Sequence, residues 1–154
     1  MSLQRGRLLG IAFREKPRGP MVEIESSLVT TGAGLLSDFR GKPGARQVTV
    51  LAREDWKLAC EELAKELPWT LRRANLLVEA IKLKETTDSI IQVGELALNV
   101  TGETDPCGRM DQAEPGLMNA LMPDWRGGVC CRVIEDGQIS IGAEVTLESP
   151  MVAG

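Results

Sequence analysis

The sequence predicts a mainly β (α+β) domain: a closed barrel of short, largely antiparallel strands, with one packed helix at about residues 53–67 and a second short helix. Three observations carry this. Apolar residues fall in short runs, some alternating with polar ones at the two-residue period of a half-buried strand. Turn-forming residues separate those runs at regular intervals. One segment alone shows a clear 3.6-residue period, too few helices to cover a parallel sheet.

Leu8-Leu9-Gly10-Ile11-Ala12-Phe13 reads as the first strand, and Met21-Val22-Glu23-Ile24-Glu25, which alternates apolar with acidic, as the second. Lys16-Pro17-Arg18-Gly19-Pro20 between them is turn chemistry. Thr30 to Lys42 is loop-like and glycine-rich. Its Gly32-x-Gly34 is no dinucleotide fingerprint, because no helical pattern follows. Gln47-Val48-Thr49-Val50-Leu51 is a strand rich in β-branched residues. In the helix from Arg53 to Leu67, residues Trp56, Cys60, Leu63 and Leu67 share a face, with Glu54 and Asp55 in the first turn, where the dipole favours negative charge. Pro68 stops it. Strands follow at 75–81, 90–93, 95–101, 129–134 and 144–147, and the second short helix lies near Pro115 to Leu121. Asp136-Gly137 is a hairpin-turn dipeptide, and Ile141-Gly142-Ala143 separates the last two β segments.

At 154 residues, 43% hydrophobic and 26% charged, with no internal repeat, the chain reads as a single domain over 1–154. A net charge of -4 excludes a general attraction to nucleic acid or anionic lipid. Aromatic residues at 3%, with no tyrosine, exclude a base-stacking platform. No apolar run approaches the ~20 residues of a membrane span, and the first residues lack a signal-peptide core, so the expected address is cytoplasmic. Histidine is absent. That removes Ser-His-Asp and Cys-His catalysis and Cys2His2 zinc sites, leaving carboxylates, lysine, arginine, thiols or a borrowed cofactor.

The four cysteines form no CxxC, which excludes a zinc knuckle by spacing. Cys60 lies on the helix's apolar face and reads as a small buried hydrophobe. Cys130 and Cys131 are strand neighbours, so one is expected in the core and the other partly exposed. Cys107 differs, because Pro106 and Gly108 keep it out of regular structure in a loop that follows a strand. Arg109 lies two residues on, and a guanidinium beside a thiol favours the thiolate, the form that attacks and ligates metals. An incidental loop cysteine stands as the other reading.

A second constellation is Leu71-Arg72-Arg73-Ala74-Asn75-Leu76, two arginines and an amide running into an apolar strand. Arginine grips phosphate through bidentate bonds and asparagine reads a heterocycle edge. In a strand Arg73 and Asn75 would share a face, with Arg72 on the other. The plainer reading, favoured by spacing alone, pairs these arginines with nearby acids in solvent. Asp38 and Arg40 in the glycine-rich loop form a weaker third cluster.

Arg46-Gln47-Val48-Thr49-Val50-Leu51, then Leu71-Arg72-Arg73-Ala74-Asn75-Leu76, then Gly94-Glu95-Leu96-Ala97-Leu98 with Asp105-Pro106-Cys107, resemble the MOSC domain, the molybdenum cofactor sulfurase carboxy-terminal domain. So does the segment from Gly128-Val129-Cys130-Cys131 to Ile141-Gly142, and the resemblance covers about residues 8–148. It implies a β-rich barrel associated with molybdenum cofactor (molybdopterin), acting as a sulfur carrier or as a reductase of N-hydroxylated compounds. Cys107 would carry the sulfur or ligate molybdenum. Arg73 and Asn75 would hold the cofactor's phosphate or pterin, with Arg72, Asp38, Arg40, Asp105 and Arg109 as further cofactor-binding candidates. Relatives often carry a histidine near the Gly-Asp loop; here its role would be absent or pass to Arg40. Pyridoxal phosphate would enter only through a separate partner, a cysteine desulfurase, and a reductase would need an external electron donor and a small-molecule substrate. The reading from another class is a non-catalytic anion-binding or partner-delivery module.

Overall fold

The computed structural model describes residues 3–150. Among the described residues there are eleven strands: β1 (Leu3–Phe13), β2 (Val22–Ile24), β3 (Ser26–Thr30), β4 (Gly34–Leu35), β5 (Val48–Ala52), β6 (Leu76–Glu79), β7 (Ile90–Val93), β8 (Leu96–Glu103), β9 (Val129–Glu135), β10 (Gly137–Ser140) and β11 (Glu144–Glu148). Three helices join them, α1 (Arg53–Leu63), α2 (Gly108–Ala113) and α3 (Leu117–Leu121), with 3-10 turns at Trp69–Arg72 and Pro123–Trp125. Seven strands close a barrel in the order β1-β6-β5-β9-β8-β7-β11 and back to β1. Every pairing is antiparallel except β5 with β6. The predicted mainly β barrel is therefore present.

The eleven-residue β1 makes closure possible. Its first half pairs with β11 from Leu3 opposite Glu148 to Arg7 opposite Glu144, and its second half pairs with β6 and β2. A bulge between Leu8 and Gly10 bends the strand between these partners. Alternate residues of β5 serve two layers: Val50 enters the barrel core with Leu8, Leu76 and Leu98, while Leu51 points outward under Trp56, Ala59, Leu117 and Leu121 of α1 and α3. A strand covered on both faces is apolar at most positions, which is why Val48, Val50, Leu51 and Ala52 are all buried, with only Thr49 polar and half-buried. Among the described residues no helix is long and apolar enough to cross a membrane.

Several sequence expectations change. Helix α1 ends at Leu63, not Leu67, because Ala64 takes a left-handed conformation and closes the last turn. Leu67 still packs on that face, from a returning segment whose carbonyl accepts the Trp56 indole N–H at 2.9 Å. The strand expected at 75–81 is Leu76–Glu79, so Arg72 and Arg73 stand in and after a 3-10 turn and share no strand face with Asn75. Asp136-Gly137 makes no hairpin, since β9 belongs to the barrel and β10 pairs with β3 in a separate three-stranded sheet. Cys130 and Cys131 take opposite faces as expected, but both are buried: Cys131 lies in the barrel core, and Cys130 meets the Thr104 hydroxyl at 3.2 Å. Strands β3 and β4 and helix α2 carried no readable periodicity, being two to six residues long.

The glycine-rich loop is held by one buried side chain. Gln47 donates to the carbonyls of Thr31 at 2.8 Å and Gly41 at 3.0 Å, and accepts from the Val133 N–H at 2.9 Å. Replacement by an apolar isostere leaves three backbone groups unpaired. Gln47→Leu is expected to cost about 3 kcal/mol or more, lowering the melting temperature by about 6–12 °C in calorimetry. A drop under about 2 °C would contradict this role.

Burial, and then the neighbouring Glu54, push the Asp55 carboxyl in α1 up to about 6 from its ordinary 3.8. The folded state then binds the proton more tightly than the unfolded chain, so this group's stabilisation is complete below pH 3.8 and lost as pH rises through about 6. Asp55→Asn should therefore gain stability relative to the parent between pH 4 and pH 7. With the side chain partly open to screening solvent the gain is about 1 kcal/mol, measured by urea unfolding at both pH values.

Candidate functional site

One end of the barrel opens into a cleft of about 530 Å³. Six pieces of chain converge there: the residues after β1, the loop at 38–40, Arg46 and Thr49 at the start of β5, the turn at 71–75, the run from Thr104 to Ala113, and Gly127. The cleft brings together all eight candidate residues: Cys107, Arg72, Arg73, Asn75, Asp38, Arg40, Asp105 and Arg109. Sequence reasoning missed Arg14, Arg18, Arg46, Phe39 and Thr104, which line it as well. Seven arginines and only two aspartates surround this space, in a chain whose net charge is -4.

Arg72 forms the floor. It is 7% exposed, and its guanidinium donates to Gly127 O at 2.9 Å and Thr104 O at 3.0 Å, with Met110 Sδ at 3.7 Å. Gly127 permits this approach, since a Cβ there would meet Thr104 O at 2.8 Å and the guanidinium at 3.2 Å. Among the described residues no carboxylate pairs with Arg72. Burial pulls its pKa below the usual value, and the strongest opposing influence is the charge of the neighbouring Cys107, followed by Cys130. A buried cation held by neutral carbonyls retains most of its attraction for an anion.

Arg73 has a left-handed backbone, φ 64°, and its side chain finds a different partner from that of Arg72. One terminal nitrogen donates to Gly19 O, while its buried Nε has no partner among the described residues. Burial, then Arg109, lower its pKa. Asn75 is committed differently. Its Oδ1 accepts from Thr49 N at 3.0 Å and its Nδ2 donates to Ala12 O at 3.1 Å, tying β1 to β5 beneath the cleft and leaving one amide hydrogen uncommitted.

Cys107 is exposed at the rim in extended conformation, immediately before α2, and Asp105 and Arg109 are exposed beside it. The thiol thus stands at a helix start rather than within a long irregular loop. Asp38 accepts the Arg14 main-chain N–H at 3.2 Å. Arg40 is exposed, with its guanidinium carbon 5.4 Å from the Phe39 ring centre.

A family model described as MOSC domain matches residues 29–146. The chain belongs to the MOSC domain family. Among solved structures, YuaD from Bacillus subtilis aligns with a TM-score of 0.84 at 16% identity, over 97% of this chain and 99% of its own. YiiM from Geobacillus stearothermophilus aligns with a TM-score of 0.75 at 16% identity, over 96% of this chain and 77% of its own. YiiM from Escherichia coli gives 0.72 at 17%, over 94% and 71%. At these identities the likeness is one of fold. No curated protein matches the sequence.

Within this MOSC domain the cleft is an unneutralised cationic pocket with one exposed thiol at its edge. The readable signals for the missed arginines were positional: Arg14 follows an apolar strand directly and Arg46 precedes one, so both sit at barrel ends. A ligand that binds only the folded cleft stabilises it by mass action. Inorganic phosphate at about ten times its dissociation constant should raise the melting temperature by about 3–6 °C over chloride at equal ionic strength. Arg14→Ala with Arg73→Ala should abolish the difference, and equal melting in the two salts would contradict an anion site.

Proposed function

We propose that this MOSC domain binds molybdenum cofactor in the cleft, with its anionic phosphate on the arginines and the Cys107 thiolate turned to the metal. The single observation that carries the reading is the juxtaposition of an unpaired guanidinium cluster with the exposed Cys107 thiol in one cleft. The residues fit such a group. Arg73 presents a buried Nε without an acceptor, Arg72 a buried charge without a carboxylate, and Arg109 a further guanidinium at the rim. Bound there, molybdenum would supply oxygen-atom and two-electron chemistry suited to reducing N-hydroxylated compounds.

The chain's own residues do the rest. Arg73 holds the phosphate by charge-assisted hydrogen bonds, and Arg72 offsets negative charge on Cys107 Sγ. The uncommitted hydrogen of Asn75 Nδ2 is available to a ring acceptor, and Asp38 fixes the position of Arg14 through its main-chain N–H. Asp105, exposed two residues before Cys107, is the carboxylate placed to take or give a proton at that rim. An external electron donor and a small-molecule substrate belong to this reading, as does the cytoplasm, where thiols stay reduced.

The exposure of Cys107 favours a second reading, as sulfur carrier. Its thiolate attacks the outer sulfur of a persulfide on a cysteine desulfurase, the pyridoxal phosphate partner. A new S–S bond forms as the partner's thiolate leaves.

Molybdenum analysis and pterin fluorescence on protein from a cofactor-competent host test the first reading. Near-stoichiometric metal and pterin are expected, with Arg73→Ala losing about 90% of both and Cys107→Ser losing mainly metal. Neither metal nor pterin in the parent protein would overturn it. A gain of one sulfur atom on Cys107 by mass spectrometry after incubation with desulfurase and cysteine would then establish the carrier.

A further inference from the structure

We infer that Phe39 organises a phosphate seat in this cleft, formed by the guanidinium groups of Arg14 and Arg40. The inference deepens the cofactor reading and rests on it for the cleft's being a binding site. The guanidinium carbons of Arg14 and Arg40 lie over the Phe39 ring, 4.6 Å and 5.4 Å from its centre. Both are within the ~6 Å at which a cation is attracted to an aromatic face.

What holds a guanidinium decides what it can still do. A carboxylate partner would cancel the charge and occupy the N–H fork. An aromatic ring attracts the cation through its quadrupole and accepts none of the in-plane N–H bonds, so charge and fork both stay available. Among the described residues neither Arg14 nor Arg40 makes a side-chain hydrogen bond or ion pair. Burial, and after it the charges of Arg73 and Arg40, lower the Arg14 pKa to about 10, against the opposing pull of Asp38. Two guanidinium groups gathered about one ring at the wall of one cleft, close enough for the charge of Arg40 to act on Arg14 and with forks unspent, match the several oxygens and double charge of a phosphate.

The ring itself is firmly placed. The Phe39 N–H donates to Arg14 O at 2.9 Å and the Arg14 N–H to Asp38 Oδ1 at 3.2 Å, lacing the loop to the end of β1. Gly41 closes the turn by donating to Asp38 O at 3.2 Å, and a Cβ there would lie 1.7 Å from Ala33 O. Its own carbonyl is held by buried Gln47 at 3.0 Å. Phe39 is thus a positioning residue on a braced loop, acting through the arginines it supports.

The phosphate has two chemical sources, the cofactor's phosphate or a phosphate ester on the substrate. Titration of the full chain with inorganic phosphate by calorimetry tests the seat itself. Phe39→Leu should weaken binding about five- to thirty-fold, and Phe39→Trp, which restores an aromatic face, should return it to within about threefold. Binding by Phe39→Leu within about twofold of the parent, or Phe39→Trp as weak as Phe39→Leu, would overturn the role of the ring. Should Phe39→Leu unfold, Arg14→Gln decides: it must weaken phosphate at least about tenfold, and unchanged affinity overturns the seat.

Two further arms separate the sources. A parallel fall in molybdenum content of Phe39→Leu assigns the seat to the cofactor's phosphate. Unchanged molybdenum, with loss of preference for a phosphorylated over an unphosphorylated N-hydroxybenzamidine, assigns it to the substrate. Parent protein without molybdenum would sink the cofactor reading alone, because the phosphate titration still decides the seat.

Discussion

A buried guanidinium without a carboxylate is the constraint around which this site is built. Arg72 is taken out of water, and its hydrogen-bond partners are the carbonyls of Gly127 and Thr104 and the sulfur of Met110. Those contacts join the 3-10 turn, the end of β8, the start of β9 and helix α2. A single side chain thereby fixes the segment that carries Cys107 relative to the barrel. An acid at this position would have made a closed ion pair and a structural joint. Neutral acceptors keep the joint and leave the charge for whatever enters the cleft.

The rest of the cleft repeats that arrangement. Arg73 is anchored by a carbonyl of Gly19, and Arg14 and Arg40 by the Phe39 ring. Elsewhere some arginines meet a carboxylate, as Arg53 does Glu79 and Arg126 does Glu62, and others, such as Arg132, stand exposed in water. What sets this end of the barrel apart is that seven arginines share one cleft and, among the described residues, none of them pairs with a carboxylate. Strand ends provide such a place, because the sheet fixes the backbone while the connecting turns remain free to project side chains. Closure by the long β1 makes that end rigid, so mutually repelling guanidinium groups stay close without a ligand.

Much of this was legible in the sequence, and the limits have physical causes. The β-branched, largely apolar β5 and the face of α1 follow from burial, so they read clearly. All eight residues singled out line the cleft; spacing alone favours arginines paired in solvent, and the resemblance to the MOSC domain is what joins them into one site. The sequence pattern puts Arg72 and Arg73 on opposite faces of a strand, whereas a 3-10 turn and a left-handed backbone direct them, a choice made by tertiary contacts to Gly127 and Gly19. Phe39 and Arg14 lie 25 positions apart and carry no motif of their own. Only the lacing of the loop to β1 joins them. The pairing of β10 with β3 was hidden for the same reason, since a local Asp-Gly signal says nothing about a partner strand over a hundred residues away.

The central claim, that the unpaired charge at this end of the barrel serves a molybdenum-bearing anion beside Cys107, is tested most directly by diffraction. Crystals of protein purified from a cofactor-competent host would be measured on both sides of the molybdenum absorption edge. The account predicts one anomalous peak at bonding distance from Cys107 Sγ, with phosphate density against the arginines. A peak away from Cys107, or an ordered cleft with no molybdenum in protein that carried the metal into the crystal, would contradict it.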